Sequence, residues 1–416
     1  MVAIPDGFEA VDLGADRVRD VLELDTWAFP TGDTVEDLLD VPLPLSWDRV
    51  HGLAEAGRPG SLAAMHGSYP FASCPVPGGR LGVAGLTWVA VHPQWRRRGL
   101  LRAMIATHFA HCRRRGETIS ILTASEPAIY GRFGYGMASR QLRLKLPRGA
   151  GLRPVPGAAE LAVRLESLGA QHSELVGSLH AAVERPGWVT RETPELARWW
   201  LADPRMHRGG HEPARILIAD AGTGPVGYAI FRRKGAWGTT GPEGSVRVVE
   251  AVAPDAAVAH ALWSRLLDFD LTTQVTSGNL AVDDPLLSLL VDLRAAEPRL
   301  QDNVWLRLVD LPAALAGRQY QADLDVVLDV TDELLPDNAG RWRLTATAFG
   351  AATVERTGAA PDLALDAREL GSAYLGGLSL AELAGAGQVV EHTQGSLLRA
   401  SVAFGWPAAP VASWIF

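Results

Sequence analysis

The 416-residue sequence has only two cysteines, Cys74 and Cys112. Two isolated thiols supply neither a disulfide framework nor a zinc site, and they suit a reducing cytoplasm. Long hydrophobic runs are missing too. No stretch reaches the roughly 18 uninterrupted apolar residues expected of a membrane span. The opening MVAIPDGFEAVD has no basic segment followed by an apolar one, so no signal peptide is expected. Positive charge is in deficit. Lysine plus arginine total 39 against 47 acids, a formal net charge of −8. That argues against a nucleic-acid surface and is compatible with a cationic substrate. What remains is globular in composition, 47% hydrophobic and 21% charged, and too long for one ordinary core.

The most informative stretch runs from Gly85 to Gly136. Leu86, Trp88, Ala90 and His92 alternate with Thr87, Val89 and Val91. Both sets are largely apolar, which predicts a strand buried on both faces. Pro93 ends it, because proline cannot donate to a sheet ladder. After Gly99, the residues Leu100, Leu101, Met104, Ile105 and Phe109 recur at helical spacing. Between strand and helix lies Arg96-Arg97-Arg98-Gly99. A glycine at a helix start lets backbone N–H groups approach an anion, and the helix dipole favours a phosphate there. Three arginines add charge for a polyanion. A solvated basic helix start is the bland alternative. The turn's place at the carboxyl end of a strand, where open α/β sheets bind ligands, favours the functional reading.

Val89-Ala90-Val91-His92-Pro93 followed by Arg96-x-x-Gly99 resembles motif A of the GNAT acetyltransferases, the loop that holds the pyrophosphate of acetyl-CoA. Leu101 stands where that family usually has Gly or Ala. RRRGLLRAM, together with Ser125-Glu126 and Ile129-Tyr130-Gly131-Arg132-Phe133-Gly134-Tyr135-Gly136, resembles one branch, the enhanced intracellular survival (Eis) N-acetyltransferases. The resemblance implies acetyl-CoA as cosubstrate. It implies a cofactor-binding set of Val89, Ala90, Val91, Arg97, Arg98, Gly99, Leu100, Leu101, Arg102, Ser125 and Glu126. It also implies a homo-oligomer, commonly a homohexamer, while the composition already points to a cytoplasmic protein with no nucleic-acid, membrane or metal partner.

Three units are expected along the chain: 1–148, 149–300 and 301–416. The first holds the motif. It opens on an edge strand at Phe8–Leu13, a helix from Asp16, which could cap it, to Phe29, and a short helix from Thr34. Strands at 51–56 and 61–70 precede the motif strand, and Leu142, Leu144 and Leu146 mark a closing strand. The second unit echoes the first. Val246 to Pro254 and the helix around Ala259 repeat the strand, Val-x-Pro and helix arrangement, but Asp255 replaces the basic turn, so this copy should not hold CoA. The third unit, from the strand at Trp305 onward, reads as α+β. Its Asp366-x-x-Glu-Leu-Gly-Ser-x-Tyr-Leu-Gly-Gly377 resembles the sterol-carrier-like domain of Eis proteins. The fold class is therefore α+β, with tandem GNAT-like domains followed by a sterol-carrier-like domain.

Acetyl transfer to an amine needs a held donor, a neutral amine, a stabilised oxyanion and a proton for the departing thiolate. Tyr130 and Tyr135 both suit the last role by residue type, and packing is the bland reading of each. The Eis pattern points to Tyr130. His92 and His108 are candidate bases, although a buried strand and a helix make structural roles the better default. In Eis proteins the terminal carboxylate is the base, which here is that of Phe416. The tail Ala412-Ser413-Trp414-Ile415-Phe416 is unusually apolar for a solvated end. An acid-rich segment around Glu23, Asp25, Asp33, Glu36 and Asp37 reads mainly as a solvated helix face. Phe29 and Asp33 are the substrate-binding candidates within it.

The expected function is acetyl-CoA-dependent N-acetylation of a polycationic small molecule of aminoglycoside type, by direct attack in a ternary complex. The alternatives are a protein or peptide lysine acetyltransferase, or a lipid-binding protein with a vestigial acetyltransferase domain.

Overall fold

The computed structural model describes residues 3–416. The chain opens with β1 (Phe8–Asp12), helices α1 (Val18–Ala28) and α2 (Val35–Leu39), then β2 (Val50–Glu55), β3 (Arg58–Val76) and β4 (Gly79–Val91). The motif helix α3 (Leu100–Arg115) crosses to β5 (Ile119–Thr123), followed by α4 (Pro127–Tyr130) and β6 (Gly136–Met137). Next come β7 (Arg140–Pro147), β8 (Ala162–Ser167), helices α5 (Ser173–Ala181) and α6 (Pro194–Ala202), β9 (Arg215–Asp220) and β10 (Pro225–Lys234). After a ribbon of β11 (Trp237–Gly238) and β12 (Gly241–Pro242) stand β13 (Gly244–Val252), α7 (Ala256–Leu266), β14 (Thr272–Ala281), β15 (Arg299–Asp302) and β16 (Val304–Leu308).

These strands make two seven-stranded sheets of matching design. One has the order β1-β2-β3-β4-β5-β16-β6, the other β8-β9-β10-β13-β14-β7-β15. Each has one parallel pair, β4–β5 and β13–β14, joined by a crossover helix, α3 and α7. α3 buries Leu100, Ala103, Met104, Ile105, Phe109 and Cys112, the spacing of a one-sided helix. It starts and stops at left-handed glycines, Gly99 (φ 84°) and Gly116 (φ 71°).

The two sheets exchange strands, and this corrects two expected assignments. β7, expected to close the first unit, pairs with β14 (Leu146 opposite Val275) and packs Leu144 and Leu146 into the second unit's core. β16, expected to open the third unit, pairs with β5 (Leu306 opposite Ile121) in the first sheet. The expected divisions at 148/149 and 300/301 therefore separate each strand from its sheet. An alternating apolar strand can complete either sheet, so only the tertiary fold decides. Asp16 is a smaller correction. It lies in a 3-10 turn before α1 and does not cap that helix, whereas Thr34 and Asp37 cap α2 reciprocally.

The third unit is a five-stranded sheet of Leu324–Thr331, Gly340–Ala346, Ala352–Arg356, Leu363–Asp366 and Val389–Glu391. Helices at Ala367–Ala373 and Ser396–Phe404 belong to it. From Gly405 the chain runs back as an extended tail to Phe416. Trp414 on that tail, 3% exposed, sits in a core shared with Tyr69 and Phe71 of β3, Val189, Leu196 and the third unit. Among the described residues, no helix is long and apolar enough to cross a membrane, and no cluster of His, Cys, Asp or Glu is arranged to hold a metal.

Candidate active site

The site begins with a break in β4. Thr87 stands opposite Gly67 and Ala90 opposite Met65, so β4 spends three residue steps where β3 spends two. Trp88, with φ 51°, takes up the extra residue. The bulge flips the strand's parity. Ala84 and Leu86 pack toward α3; beyond the bulge Val89 and Val91 do so, and Ala90 turns to the α1 side. The continuous alternation expected from the sequence is thus two registers joined at Trp88.

Pairing between β4 and β5 runs only from Val83 opposite Ile119 to Gly85 opposite Ile121. β5 continues beside β16 to Thr123 instead. Past Gly85 the β5-facing edge of β4 is unpaired, and a cleft of about 810 Å³ opens there. The basic turn forms one end of it. Arg97 (φ 65°) and Gly99 (φ 84°) both have positive φ, so the chain turns sharply into the N-terminus of α3, where the helix dipole favours an anion. Ala103 donates to the Gly99 carbonyl at 3.1 Å, which leaves the N–H groups of Leu100, Leu101 and Arg102 without partners inside the helix. Arg96, Arg97 and Arg102 line the cleft beside them. A basic helix N-terminus next to an unpaired strand edge suits a pyrophosphate followed by an amide-bearing arm, the shape of acetyl-CoA.

Most of the residues expected from the sequence meet here. Val89, Val91, Arg97, Gly99, Leu100, Leu101, Arg102, Ser125, Glu126, Tyr130, Phe29 and Phe416 all line the cleft. Three do not. Ala90 is buried on the far face, so only its backbone belongs to the edge. Arg98 lays its guanidinium over the Trp95 ring at 4.8 Å. Asp33 lies in the loop before α2, where its carboxylate accepts from Thr31 Oγ1 at 2.7 Å.

Within the acid-rich segment, the acid that lines the cleft is Asp25, joined by Ala28 and Phe29 three and four residues on along α1. Burial pushes its carboxyl up to about 6. The i, i+3, i+4 spacing was a usable signal for it. Phe29 is 39% exposed and Trp27 62%, so neither packs in the core as their residue type suggests.

The two tyrosines part company. Tyr135 is fully buried and shares a 2.8 Å hydrogen bond with Ser120 Oγ, which is itself bonded to His108 Nε2 at 2.8 Å. Tyr130 faces the cleft, its phenol pushed up to about 12 by burial and by the charge of Glu126. Neither candidate histidine, His92 or His108, is among the residues lining the cleft. His108 is buried against Ser120, and burial drives it down to about 3. His92 accepts from the Gln94 N–H at 3.2 Å and closes the turn after β4.

Thr123 gave no signal in the sequence. The Phe416 N–H donates to its Oγ1 at 3.0 Å, and the same hydroxyl donates to a Phe416 oxygen. The Phe416 ring lies 5.2 Å from Phe71, 5.5 Å from Trp414 and 6.2 Å from Tyr69. The chain's final residue is therefore seated where the two strands part, in the cleft that Tyr130 lines.

A bulged strand, a split parallel pair and a left-handed basic turn at the head of the crossover helix define a GNAT acetyltransferase. Comparison agrees along the whole chain. Residues 11–138 and 187–308 each match an acetyltransferase (GNAT) domain model, and residues 311–413 a sterol carrier protein domain model. An uncharacterized N-acetyltransferase of Streptomyces coelicolor is 41% identical over 374 residues, covering 88% of this chain and 87% of that protein. N-acetyltransferase Eis of Mycobacterium tuberculosis is 34% identical over 367 residues, covering 84% and 85%. The crystal structure of Eis1 from Mycobacterium abscessus superposes with a TM-score of 0.79 at 30% identity, over 98% of this chain and all of that one. The chain belongs to the Eis family of GNAT N-acetyltransferases. It is an acyltransferase, with acetyl-CoA as its acetyl donor.

The second GNAT unit opens its crossover helix differently. Asp255 caps α7 with its own carboxylate, accepting from the Val258 N–H at 2.9 Å, so a negative side chain fills the place a phosphate would take.

Proposed function

We propose that the enzyme acetylates amines of a polycationic small molecule, of aminoglycoside type, by direct transfer in a ternary complex. The observation that carries this is the seating of Phe416 on Thr123 in the cleft lined by Tyr130, Asp25 and the basic turn.

In this reading the basic turn and the first N–H groups of α3 hold the pyrophosphate. The unpaired edge at Val89–Val91 holds the amide-bearing arm and donates an N–H to the thioester oxygen. The Phe416 carboxylate takes a proton from the attacking amine, and Thr123 orients it. Tyr130, still protonated well above neutral pH, donates to the departing sulfur. Asp25 replaces Asp33 as the anionic contact for a second ammonium of the acceptor. It has no cation partner of its own among the ion pairs of the described residues. A substrate with several ammonium groups would supply one, and Phe29 offers an apolar wall beside it.

The test is thiol release from acetyl-CoA with an aminoglycoside panel, run on the wild type beside a form extended by a few residues after Phe416. The extended form is expected to bind acetyl-CoA normally and to turn over at least 100-fold more slowly. Equal activity would remove Phe416 from the mechanism. Higher activity on a lysine peptide than on any aminoglycoside would move the acceptor to proteins.

A further inference from the structure

The second GNAT unit repeats the strand split of the first. β13 and β14 pair in parallel only as far as Val248 opposite Ser277. Beyond that point β14 bulges, three residue steps from Ser277 to Leu280 against two on β7, and Asn279 takes a left-handed φ of 59°. In the first unit the equivalent gap is the acetyl-CoA cleft. Here it has shrunk to about 60 Å³, and Val411 and Ser413 of the C-terminal tail line it together with Val249, Ala251 and Asn279.

The tail is held by its backbone, in two closed rings. At Ala412 the N–H donates to Asn303 Oδ1 (2.7 Å), Asn303 Nδ2 donates to Asn279 Oδ1 (2.8 Å), and Asn279 Nδ2 donates to the Ala412 carbonyl (2.7 Å). At Ala409 the N–H donates to Asp283 Oδ2 (2.9 Å), while Arg185 Nη1 donates both to Asp283 Oδ1 (2.5 Å) and to the Ala409 carbonyl (2.6 Å). Each ring satisfies the N–H and the C=O of one tail residue. Four residues past Ala412, Thr123 does the same for Phe416. Apolar packing alone would let an extended strand slide along its axis, whereas paired donor and acceptor contacts to one peptide fix its register.

We propose that the cofactor-free cleft of the second unit is the seat of the C-terminal tail, and that Asn279 and Asn303 are positioning residues setting how far Phe416 reaches into the active cleft. The proposal rests on the reading of the Phe416 carboxylate as base. It gives the silent unit a task in catalysis without any ligand of its own.

The test variant is Asn279→Gly, which deletes the clamp's side chain and suits the left-handed backbone at that position. It is compared with the wild type and with the form extended beyond Phe416. Three readouts are taken: kcat with the best amine acceptor, KM for acetyl-CoA, and the rate at which carboxypeptidase A releases Phe416 from the folded protein. The expected result is a kcat lowered about 10- to 100-fold, an unchanged acetyl-CoA KM, and Phe416 released at least tenfold faster. A general loss of structure would move the acetyl-CoA KM as well. To cover that case, Asn303→Asp keeps the acceptor for the Ala412 N–H but loses the donor to Asn279, and it should show the same split more weakly. An inactive extended form beside an Asn279→Gly variant with wild-type kcat and wild-type carboxypeptidase resistance would overturn the clamp and leave the base in place. A fully active extended form would overturn the base reading and the clamp with it.

Discussion

Replacing Asp25 by Asn keeps the shape of the cleft wall and removes its charge. Burial raises the carboxyl from 3.8 to about 6 in the folded enzyme. A carboxyl held that high binds its proton more tightly folded than unfolded. Its charge therefore costs the fold nothing below about pH 4, and the cost grows to at most about 3 kcal/mol as pH rises past 6. Partial solvent access reduces that ceiling. An acceptor ammonium about 4 Å away gains roughly 1 kcal/mol in water and roughly 4 kcal/mol near a protein surface, so about 2 kcal/mol is expected here. That corresponds to about 30-fold in affinity. The assay is inhibition by a fully N-methylated aminoglycoside, whose positive charges do not titrate and whose nitrogens cannot be acetylated. At pH 8 the wild type should bind it about 30-fold more tightly than Asp25→Asn. The advantage should fade as pH drops through 6, and the variant's affinity should not change over that range. The same variant should unfold at a higher temperature than the wild type at pH 8 but not at pH 4. Equal affinity at pH 8, or a pH dependence that survives in the variant, would refute the assignment.

Tyr130→Phe should lower kcat by about 10²- to 10⁴-fold with little change in acetyl-CoA binding measured by calorimetry. Because the Tyr130 phenol sits near 12, the wild-type rate should show no falling limb from it up to pH 10. Gly99→Ala puts a Cβ on a left-handed residue, 3.4 Å from Pro5, at a cost of about 1–2 kcal/mol. The acetyl-CoA KM should rise about 5- to 30-fold, with kcat at saturating donor less affected. Arg307, fully buried, bonds both oxygens of Asp332 at 2.6 and 2.7 Å. Arg307→Met alone should destabilise by about 3–5 kcal/mol, and Arg307→Met with Asp332→Asn, which removes the stranded charge and keeps an acceptor for the Leu335 N–H, should recover part of it in thermal unfolding.

What was legible in the sequence was local. The run from Gly85 to Phe109 shows a strand, its stop at Pro93 and the helix that follows, and Gly99 marks the head of that helix behind three arginines. Asp255 shows by its residue type the cap it forms on α7. What was not legible depends on partners distant in the chain. The Trp88 bulge follows from a count of residues on β3 as well as β4. Thr123 meets its hydrogen-bond partner, Phe416, 293 positions away. Asp33 and Asp25 are equivalent acids by composition, and only the direction of α1 against β4 separates them. The exchange of β7 and β16 leaves no trace in either strand, since each carries the alternation that any sheet edge would accept.

That exchange also sets a timetable for synthesis. β5 ends at Thr123, and the strand that covers its outer edge begins at Val304, about 180 residues later. At roughly 5–20 residues per second, a nascent chain holds that edge open for about 10–40 s. The half-built first sheet then presents unpaired N–H and C=O groups next to apolar Ile121 and Leu122. Two adjacent chains on one message could lend each other the missing strand in that interval. A protein that shares strands between its halves therefore depends on shielding of the growing chain, and slow codons between 123 and 304 should lower its soluble yield more than slow codons after 308.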